Sequence, residues 1–530
     1  MKFNIILFMI PCIFGISHNN PHFLADRTGI VHLFEWKWKD IARECEVFLG
    51  PNGYAGVQVS PVQENVIISN RPWYERYQPQ SYKVINRSGN EEEFLDMTKR
   101  CTNAGIRIYV DIVFNHMAAH QGIGTAGTIS NVSELDFPGV PFSKTDFHAN
   151  CDIQDYTNAS QVRNCRLVSL PDLDQSKSWV REKIVEMMNK LIKLGVAGFR
   201  VDAAKHMWPQ DLEVIYNIID NLNTEFNFPR NSRPFIVQEV IDLGGEGITK
   251  YEYNYMAAVT EFKFSADIGK CFRGKTPLAN MKNWGEEWGF LPSKDALVFV
   301  DNHDNQRGHG AGGEDILTYK NKKEYTMAVA FMLAHPYGIP RIMSSFAFSN
   351  SDQGPPMNSN GELITPEFDS QTNQCSGNDW VCEHRWPEIH KMIQFRNKVG
   401  NTAIKHWWDN GDKQIAFERE AKGFIAFNLQ PDTDLVQEFV TTLPAGTYCD
   451  IISGTRDDAK KCTGKSFTVS AEGKMSVTIP KDDQFGFIAV LNNVSCVKFS
   501  KLLLMVLAIK SRCNFTSKIK ISLNAQYKRC

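Results

Sequence analysis

The chain has 530 residues, of which 42% are hydrophobic, and its 58 basic and 60 acidic residues give a formal net charge of −2. This near-neutral balance gives no electrostatic reason to bind nucleic acid or an anionic membrane. At roughly 100–200 residues per domain, the length allows two to four domains, or one large barrel with additions.

The first residues follow the pattern of a secretory signal. Lys2 supplies a positive charge, residues 4–14 are largely apolar, and small residues stand at Gly15 and Ser17. We therefore predict that 1–17 is a signal peptide and that the mature chain is secreted and extracellular. The alternative is that these residues form a buried first strand or helix. The apolar stretch is too short to span a membrane.

The 13 cysteines are typical of a protein that folds in an oxidising compartment. Cys45 and Cys101 each lie on a helical pattern beside a strand, so a long bridge between them is one candidate. Spacing alone leaves the connectivity open. Three further candidate pairs are close in sequence, namely Cys151 with Cys165, Cys375 with Cys382 and Cys449 with Cys462. Cys12 lies in the predicted signal, and no partner is evident for Cys271, Cys496, Cys513 and Cys530.

Short strands and amphipathic helices alternate along most of the chain, which favours parallel β-α-β units. Strands are predicted at 29–34, 56–60, 107–113, 198–201, 235–240, 259–264, 296–300 and 339–343. Helices are predicted at 40–49, 91–104, 180–194, 211–222, 324–335 and 387–399. Eight such strands indicate an α/β fold, a (β/α)8 TIM barrel, whose active site lies at the carboxyl ends of the strands.

Two stretches depart from this alternation. Residues 115–174 are rich in Gly, Ser, Thr, Asn and Pro, and this stretch is too long for a loop without structure or function in a compact domain. We therefore predict a small inserted domain after the third strand. Short alternating strands at 402–493 predict a C-terminal all-β sandwich domain. The catalytic barrel would then comprise 18–114 and 175–401, and the tail at 494–530 is unassigned and expected to be disordered.

Acidic residues follow three of the predicted strands, at Asp202, Glu239 and Asp304. In a barrel these ends converge on one mouth. Two carboxylates about 5 Å apart suit a retaining glycosidase, with one as nucleophile and the other as acid/base. Any single acid could instead cap a helix or form a structural ion pair, but three acids with histidines nearby favour catalysis. The histidines are His116, His206 and His303.

Aromatic residues in the loop after the second strand fit a sugar ligand. Trp73, Tyr74 and Tyr77 lie within the segment 71–79. Flat rings stack on the apolar faces of pyranoses. By themselves such rings more often belong to a core, so both interpretations stay open at this point.

Four segments resemble the signature regions of the alpha-amylase family, glycoside hydrolase family 13. Their order and their places at strand ends agree with that family. The similarity covers about 18–493 and is nearest to animal-type members. The segments are Asp111-Ile-Val-Phe-Asn-His116, Gly198-Phe-Arg-Val-Asp-Ala-Ala-Lys-His206, Gln238-Glu239-Val240 and Phe299-Val-Asp-Asn-His-Asp304.

The resemblance implies a role for each matching residue. Asp202 would be the nucleophile, Glu239 the general acid/base, and Asp304 the group that binds and distorts the substrate. The segment 308–313 resembles the mobile Gly-rich loop that closes over the substrate, although it could be a plain surface turn. Substrate-binding positions would be Trp73, Tyr74, Tyr77, Gln78, His116, Tyr156, Lys205, His206, Glu246, His303 and His309.

The same resemblance implies a calcium ion. Its ligands would be the side chains of Asn115 and Asp172 and the backbone carbonyls of Arg163 and His206. All four supply oxygen, as Ca²⁺ requires. The ion would connect the inserted domain to the barrel beside the cleft.

A chloride ion is the second ion that the resemblance implies, held by Arg200, Asn302 and Arg341. Two arginines inside a barrel need an anion or a carboxylate partner. A chloride beside Glu239 would keep that acid protonated near neutral pH.

These features predict a secreted, calcium-bound, chloride-activated α-amylase that cleaves α-1,4 links of starch, glycogen and malto-oligosaccharides with retention. We expect a monomer without nucleic-acid or membrane partners. The alternatives are an α-glucosidase or transglycosylase of the same family, and a starch-binding relative without activity. Glycosylation sequons stand at Asn86, Asn131, Asn158, Asn493 and Asn514.

Overall fold

The computed structural model describes residues 18–459 and 461–492. The predicted signal peptide at 1–17 and the tail at 494–530 lie outside the described residues. The same holds for Cys12, Cys496, Cys513 and Cys530 and for the sequons at Asn493 and Asn514. Within the described ranges, no helix is both long and apolar enough to cross a membrane.

Eight parallel strands close into a barrel, which confirms the predicted fold class. Each strand pairs with its neighbours in the chain, and β8 returns to β1, where Arg341 is opposite Ile30. The strands are almost wholly buried because helices cover one face and packed side chains fill the other. The strands are β1 (Thr28–Leu33), β2 (Tyr54–Val59), β3 (Arg107–Ile112), β4 (Gly198–Val201), β5 (Phe235–Gln238), β6 (Ala258–Thr260), β7 (Ala296–Val298) and β8 (Ile339–Ser344).

Helices form most of the connections outside the barrel. The first continues directly into a π-helical turn, Cys45–Leu49, and the second begins with a capping box between Asn90 and Glu93. The helices are α1 (Trp38–Glu44), α2 (Glu91–Asn103), α3 (Ala159–Asn164), α4 (Ser178–Lys193), α5 (Pro209–Ile218), α6 (Phe262–Phe272), α7 (Lys322–Ala334) and α8 (Pro387–Val399).

Some predicted boundaries are wrong. The strand predicted at 259–264 ends at Thr260, and α6, which the sequence pattern did not reveal, begins at Phe262. Phe262, Lys263 and Phe264 continue the apolar–polar alternation of a strand, which hides the start of α6, although Lys263, Asp267 and Lys270 form a polar face along it. The helix predicted at 211–222 ends at Ile218, and the strand predicted at 296–300 ends at Val298.

Between β3 and α4 the chain leaves the barrel for the predicted insertion. This stretch contains α3, several 3-10 turns and a disulfide between Cys151 and Cys165. Aromatic side chains form its small core, with Phe142 in contact with Phe147. The boundaries of the insertion at 115 and 174 remain predictions.

The C-terminal part consists of two four-stranded antiparallel sheets, as the predicted all-β domain requires. One sheet has the strand order 404–409, 414–419, 423–428 and 487–491, and the other has the order 435–440, 474–479, 466–469 and 446–449. The strands at 404–409, 435–440 and 446–449 were not predicted. The strands are β9 (Ile404–Asp409), β10 (Gln414–Arg419), β11 (Gly423–Asn428), β12 (Leu435–Val440), β13 (Gly446–Cys449), β14 (Ser466–Val469), β15 (Lys474–Ile479) and β16 (Phe487–Leu491).

Two buried arginines bind the carboxyl end of α7. Arg396 donates from Nη1 to the carbonyl of His335 at 2.6 Å. Arg419 donates to the carbonyls of Ala334 and Gly400. A helix leaves its last carbonyls without intrahelical donors, so cations at this end satisfy them and complement the helix dipole. Arg419 belongs to β10, so this contact joins the C-terminal sheet to the barrel helices.

All four candidate disulfides form, including the long one between Cys45 and Cys101. Cys271 is a buried free thiol on α6. Among the sequons, Asn86 is buried, and its amide donates to the carbonyls of Pro61 and Gln63 at 3.0 and 3.3 Å. That site is therefore closed to glycosylation in the folded protein. The sequons at Asn131 and Asn158 are exposed.

Candidate active site

The three acids identified from the sequence lie around the mouth of the barrel. Asp202 directly follows β4, and Glu239 directly follows the neighbouring strand β5. Asp304 comes after β7, at the start of the 3-10 turn Asn305–Arg307. Because the carboxyl ends of parallel strands share one edge, the three side chains converge there.

One guanidinium group connects these acids. Nη1 of Arg200 donates to Oδ1 of Asp111 and to Oδ1 of Asp202, at 2.7 Å in each case. Nη2 donates to Oε1 of Glu239. The second oxygen of Asp111 accepts the hydroxyl of Tyr77 at 2.9 Å. Alternate residues of a strand share a face, which is why Arg200 and Asp202 both point into the barrel.

Backbone hydrogen bonds fix the strand ends. The amide of Asp202 donates to the carbonyl of Ile112 at 3.1 Å. The amide of Glu239 donates to the carbonyl of Val201 at 3.0 Å. Ala203 has a φ of 49°, a left-handed value that is uncommon for a residue with a Cβ. Its N–H donates to Oε2 of Glu239 at 2.9 Å, so the turn after Asp202 also orients Glu239.

Burial raises the pKa values of several acids at the mouth. Burial, followed by the charge of Glu239, raises the pKa of Asp304 to about 7, although Arg200 acts in the opposite direction. Burial also raises the pKa of Asp202 well above its usual range, and that of Asp111 in the same direction. Each crowded carboxylate disfavours the ionised form of its neighbours, which adds to the effect of burial.

Two buried histidines lie beside the acids. His303 stacks on Tyr77 and on Phe34, with ring centroids 5.1 and 5.0 Å apart, and its Nε2 lies 3.2 Å from Oδ2 of Asp304. His116 donates from Nε2 to the carbonyl of Tyr77 at 2.9 Å. Burial lowers the pKa of both histidines, that of His116 to about 4. Both rings are therefore neutral near pH 7 and offer hydrogen bonds without a charge.

A cleft of about 650 Å³ opens at this mouth, a volume typical of small-molecule sites. Every residue that the sequence assigned to catalysis or substrate binding lies on its wall. These residues are Trp73, Tyr74, Tyr77, Gln78, His116, Tyr156, Asp202, Lys205, His206, Glu239, Glu246, His303, Asp304 and His309.

The cleft has a polar rim and an aromatic rim. On the polar side, Nζ of Lys205 donates to the carboxylate of Glu246 and lies 5.5 Å from the ring centre of Tyr156. On the aromatic side, Trp73 donates its indole N–H to a backbone carbonyl at 2.9 Å and meets Tyr74 edge-on. This combination offers apolar faces and hydrogen-bonding groups to a polyhydroxylated ligand.

Sequence reasoning missed other residues of the cleft wall. Val168 is 81% exposed and has a φ of 43°, which is a strained conformation for a β-branched residue. Asp352 lies opposite the Gly-rich segment, with Oδ1 at 4.0 Å from Nε2 of His309. No sequence signal marks them, since they lie in irregular loops that only the fold brings to the cleft. The residues missed are Ala119, His120, Leu167, Val168, Leu170, Ile241 and Asp352, whereas Ala203 and Gly310 belong to the segments 198–206 and 308–313 that the sequence singled out.

Two buried oxygens without donors lie where the calcium ion is predicted. Oδ1 of Asn115 and Oδ1 of Asp172 have no hydrogen-bond partner among the described residues, while Oδ2 of Asp172 accepts from His148 at 2.7 Å. A β-bridge between His116 and Asp172 keeps the two oxygens near each other. Unpartnered amide and carboxylate oxygens fit a hard cation.

The other two predicted calcium ligands come from separate elements. Arg163 lies on α3 and His206 ends the short 3-10 turn after β4. Both would offer backbone carbonyls. In the part of the chain that the structure describes, no group of three or more His, Cys, Asp or Glu side chains could hold a metal. That finding agrees with a ligand set that takes part of its oxygens from amides and the backbone.

The residues predicted to bind chloride lie inside the barrel. Arg341 is 3% exposed and has no ion-pair partner within the described ranges. Its Nη1 donates to Oε1 of Gln58 at 2.8 Å, and Nδ2 of Asn302 lies 3.4 Å from Oδ2 of Asp304. Burial and the charge of Arg200 lower the pKa of Arg341 to about 10, so it stays positive at neutral pH. A buried cation without an acid fits a small anion.

Buried acids at the mouth of a (β/α)8 barrel, facing a cleft with aromatic walls, define the class of glycoside hydrolases. Comparison with protein families gives the same result. The alpha amylase catalytic domain matches residues 52–344, and the alpha amylase C-terminal all-beta domain matches residues 406–485. The chain belongs to the alpha-amylase family.

Individual relatives cover nearly the whole chain. The alpha-amylase-related protein of Drosophila melanogaster is 54% identical over 494 residues, which are 92% of this chain and 99% of that protein. The crystal structure of wild-type alpha-amylase I from Eisenia fetida has a TM-score of 0.84 and 43% identity, covering 89% of this chain and 98% of its own. A mutant of that enzyme in complex with maltohexaose has a TM-score of 0.85 and 42% identity, with coverages of 91% and 99%.

Proposed function

We propose that this protein is a secreted α-amylase that hydrolyses internal α-1,4-glucosidic bonds of starch and glycogen with retention of configuration. The observation that supports this most is the pair Asp202 and Glu239. Both carboxylates accept hydrogen bonds from one guanidinium group, that of Arg200, and both line the cleft. Such closeness suits a retaining glycosidase, whose two carboxyl groups lie about 5–5.5 Å apart. The Eisenia complex with maltohexaose supports an oligosaccharide substrate.

In the first step, an oxygen of Asp202 attacks the anomeric carbon of the sugar. Glu239 gives its proton to the glycosidic oxygen as the bond between that oxygen and the anomeric carbon breaks. The products of this step are the shortened chain, which leaves, and a glycosyl ester on Asp202. The rigid turn through Ala203 contacts both residues and limits their movement during the step.

In the second step, Glu239 accepts a proton from water, and the water oxygen attacks the same carbon. The ester bond to Asp202 breaks, and the sugar is released with its original configuration. Asp304 and the neutral His303 would hold sugar hydroxyls near the reacting carbon, and His116, which also lies beside Tyr77, would contact the same sugar. Neutral imidazoles serve this role well because they add no positive charge beside the developing oxocarbenium ion.

Calcium and chloride complete the proposal. Calcium, when bound by Asn115, Asp172 and the carbonyls of Arg163 and His206, would tie the insertion to the barrel. Chloride, when bound by Arg200, Asn302 and Arg341, would add a negative charge beside Glu239. Arg200 and the N–H of Ala203 donate to the two oxygens of Glu239, so the anion would lie next to the proposed acid/base.

Extracellular location is the last part of the proposal. Four disulfides lie in the described part of the chain, and disulfides persist in oxidising compartments. Together with the predicted signal at 1–17, they support secretion. Detection of the processed chain in the culture medium, beginning near His18, would test this point, and a protein retained inside the cell would contradict it.

The central test is hydrolysis of soluble starch by the purified protein, with release of reducing ends and product lengths measured together. We expect an early mixture of malto-oligosaccharides from wild type. Glu239→Gln and Asp202→Asn should each lose activity by about 1,000-fold or more, because each removes a group that acts in the transition state. The matched control is Glu186→Gln, an exposed residue of α4, which should keep full activity.

Other outcomes would identify the alternatives. Glucose as the sole early product would indicate an α-glucosidase, and longer products would indicate a transglycosylase. Binding to starch without release of reducing ends, unchanged by Glu239→Gln, would indicate a non-catalytic starch-binding protein. The Drosophila melanogaster relative is named an alpha-amylase-related protein, and that name does not state an amylase activity. The assay for release of reducing ends should therefore be performed first.

A further inference from the structure

His120 lies on the wall of the cleft, in the first segment of the insertion. This segment runs beside the loop that carries the aromatic rim. Nε2 of His116 donates to the carbonyl of Tyr77 at 2.9 Å, and the N–H of Ala118 donates to the carbonyl of Pro79 at 3.0 Å. These two hydrogen bonds join the segment and the loop into one continuous wall.

The side-chain oxygen of Gln78 accepts three hydrogen bonds from this segment. The backbone N–H groups of Ala119 and His120 donate to Oε1 of Gln78, at 3.1 Å in each case. Nδ1 of His120 lies 2.9 Å from the same oxygen. A backbone N–H can only donate, so the oxygen of the Gln78 amide, and not its nitrogen, faces these groups. The orientation of the amide is therefore fixed.

This orientation also fixes the tautomer of His120. Oε1 of Gln78 can only accept, so Nδ1 of His120 carries the proton that it donates. In the neutral ring, Nε2 is then a hydrogen-bond acceptor. Among the described residues, no donor pairs with this Nε2 and no acceptor pairs with the amide nitrogen of Gln78. Because both residues line the cleft, the pair offers one acceptor and one donor group to a ligand there.

Exposure increases along this wall with distance from the acids. His303, whose Nε2 lies 3.2 Å from Oδ2 of Asp304, is 1% exposed and stacks on Tyr77. Gln78, the next residue along the wall, is 6% exposed, and His120 is exposed. His120 therefore lies toward the open part of the cleft, farther out than the groups around the proposed reacting carbon.

We propose that His120 is a sugar-binding residue that determines affinity for longer substrates. Its Nε2 accepts a hydroxyl of a glucose unit away from the cleaved bond, and its Nδ1 holds the Gln78 amide so that the NH2 group of Gln78 donates to the glucan. Sugar hydroxyls both donate and accept, so they match such a pair. This inference rests on the proposed function for the identity of the ligand, an α-1,4-linked glucan.

Two substitutions separate the roles of the two ring nitrogens. An asparagine side chain can place its amide nitrogen where Nδ1 lies but does not reach the place of Nε2. His120→Asn therefore keeps the donor to Gln78 and loses the acceptor for the sugar. A glutamine side chain can place its amide oxygen where Nε2 lies, so His120→Gln keeps the acceptor and loses the donor to Gln78. His120→Ala loses both.

The experiment is calorimetric titration of maltohexaose into the full chain carrying Glu239→Gln, which prevents turnover. We expect His120→Asn to weaken binding by about fivefold, as loss of one neutral hydrogen bond predicts, and His120→Ala by about tenfold or more. His406→Asn, at an exposed histidine of β9 away from the cleft, is the matched control and should keep the affinity of its parent. Equal affinities for His120→Ala and His406→Asn would overturn the proposal.

A double-mutant comparison tests the positioning of Gln78. His120→Gln should weaken binding by about threefold when Gln78 is present and have no further effect in a Gln78→Ala background, because the hydrogen bond it removes no longer exists there. His120→Asn should still weaken binding in that background. A full effect of His120→Gln without Gln78 would contradict the role of Nδ1.

Kinetics of the active chain distinguish this inference from the proposed function. His120→Asn should raise KM for malto-oligosaccharides by about fivefold with kcat unchanged, whereas structural damage would lower kcat as well. Binding of maltohexaose that depends on His120, without release of reducing ends, would contradict the proposed function and leave the role of His120 intact. Hydrolysis of starch with unchanged affinity in His120→Ala would contradict this inference alone. A wild type that binds no maltohexaose would contradict both.

Discussion

Nη1 of Arg200 lies 2.7 Å from Oδ1 of Asp202, and the two residues are separated by one position at the end of β4. The same nitrogen binds Asp111 on the adjacent strand β3. A single cation therefore links acids from two strands, and its second nitrogen reaches Glu239 after a third strand. Loss of this cation would leave three buried carboxylates without their main counter-charge.

Arg200→Gln should reduce kcat on starch by about 100-fold or more, because the proposed nucleophile would be protonated more of the time. Burial raises the pKa of Asp202 and Arg200 opposes that effect, so removing the arginine raises the pKa further. The ionised form is then lost at a higher pH, and the residual activity should rise toward alkaline pH. Arg200→Lys should restore part of the activity. A pH–rate profile of Arg200→Gln that matches wild type would contradict this role.

Arg341→Gln should lower the chloride requirement of the enzyme. The arginine is buried without an acid partner in the described part of the chain, so it is available to an anion, whereas a neutral glutamine does not attract one. We expect the ratio of activities with and without chloride to fall by about fivefold or more. Activity is measured in chloride and in a chloride-free salt of equal ionic strength. Unchanged chloride activation would rule out Arg341 as a ligand.

Calcium should stabilise the wild type against heat, by about 3 kcal/mol when its concentration is 100 times Kd. Asn115→Ala should remove much of this effect, because it deletes an oxygen that has no other partner among the described residues. The measurement is the midpoint of thermal unfolding in calcium and in EDTA. Asp155→Asn, an exposed acid in the same insertion, is the control. An equal calcium response in Asn115→Ala would place the ion elsewhere.

Arg419→Met should lower the free energy of unfolding by about 3 kcal/mol while leaving kcat intact, because several carbonyls lose their donor. The affected carbonyls are those of Ala334, Gly400 and Thr402, none of which lies on the cleft wall. Urea denaturation measures the change. Lys422→Met, at the exposed turn after β10, should change stability by less than about 0.5 kcal/mol. Equal midpoints for both variants would show that Arg419 does not stabilise α7.

Removal of the bridge between Cys45 and Cys101 should destabilise the protein more than removal of the bridge between Cys375 and Cys382. The first closes a separation of 56 residues and the second one of 7. Loop entropy predicts losses of about 4 and about 2 kcal/mol respectively. Double alanine variants of each pair, compared by urea midpoints, give the two values. A larger loss from the shorter loop would show that strain or packing outweighs chain entropy here.

Local sequence patterns predicted most of the barrel because its strands are short, largely apolar runs buried on both faces and most helices bury one face with a regular period. The helix α8 was predicted at 387–399, which is where it lies. The helix α6 was missed, and the strand before it was overextended, because Phe262, Lys263 and Phe264 continue the apolar–polar alternation of a strand. The strand β12 was missed because Val436 and Val440 lie on its exposed face, so apolar residues stand on both faces and the sequence does not alternate.

The sequence by itself determined the fold class, the family resemblance, and the candidate residues that line the cleft. Those properties reside in local periodicity and in short motifs at strand ends. The tertiary structure alone decided that Arg200 joins Asp111, Asp202 and Glu239, that His120 contacts the amide of Gln78, and that Val168 reaches the rim of the cleft. The physical reason is that closure of the barrel brings together side chains that are far apart in the sequence. No local sequence pattern marks such contacts.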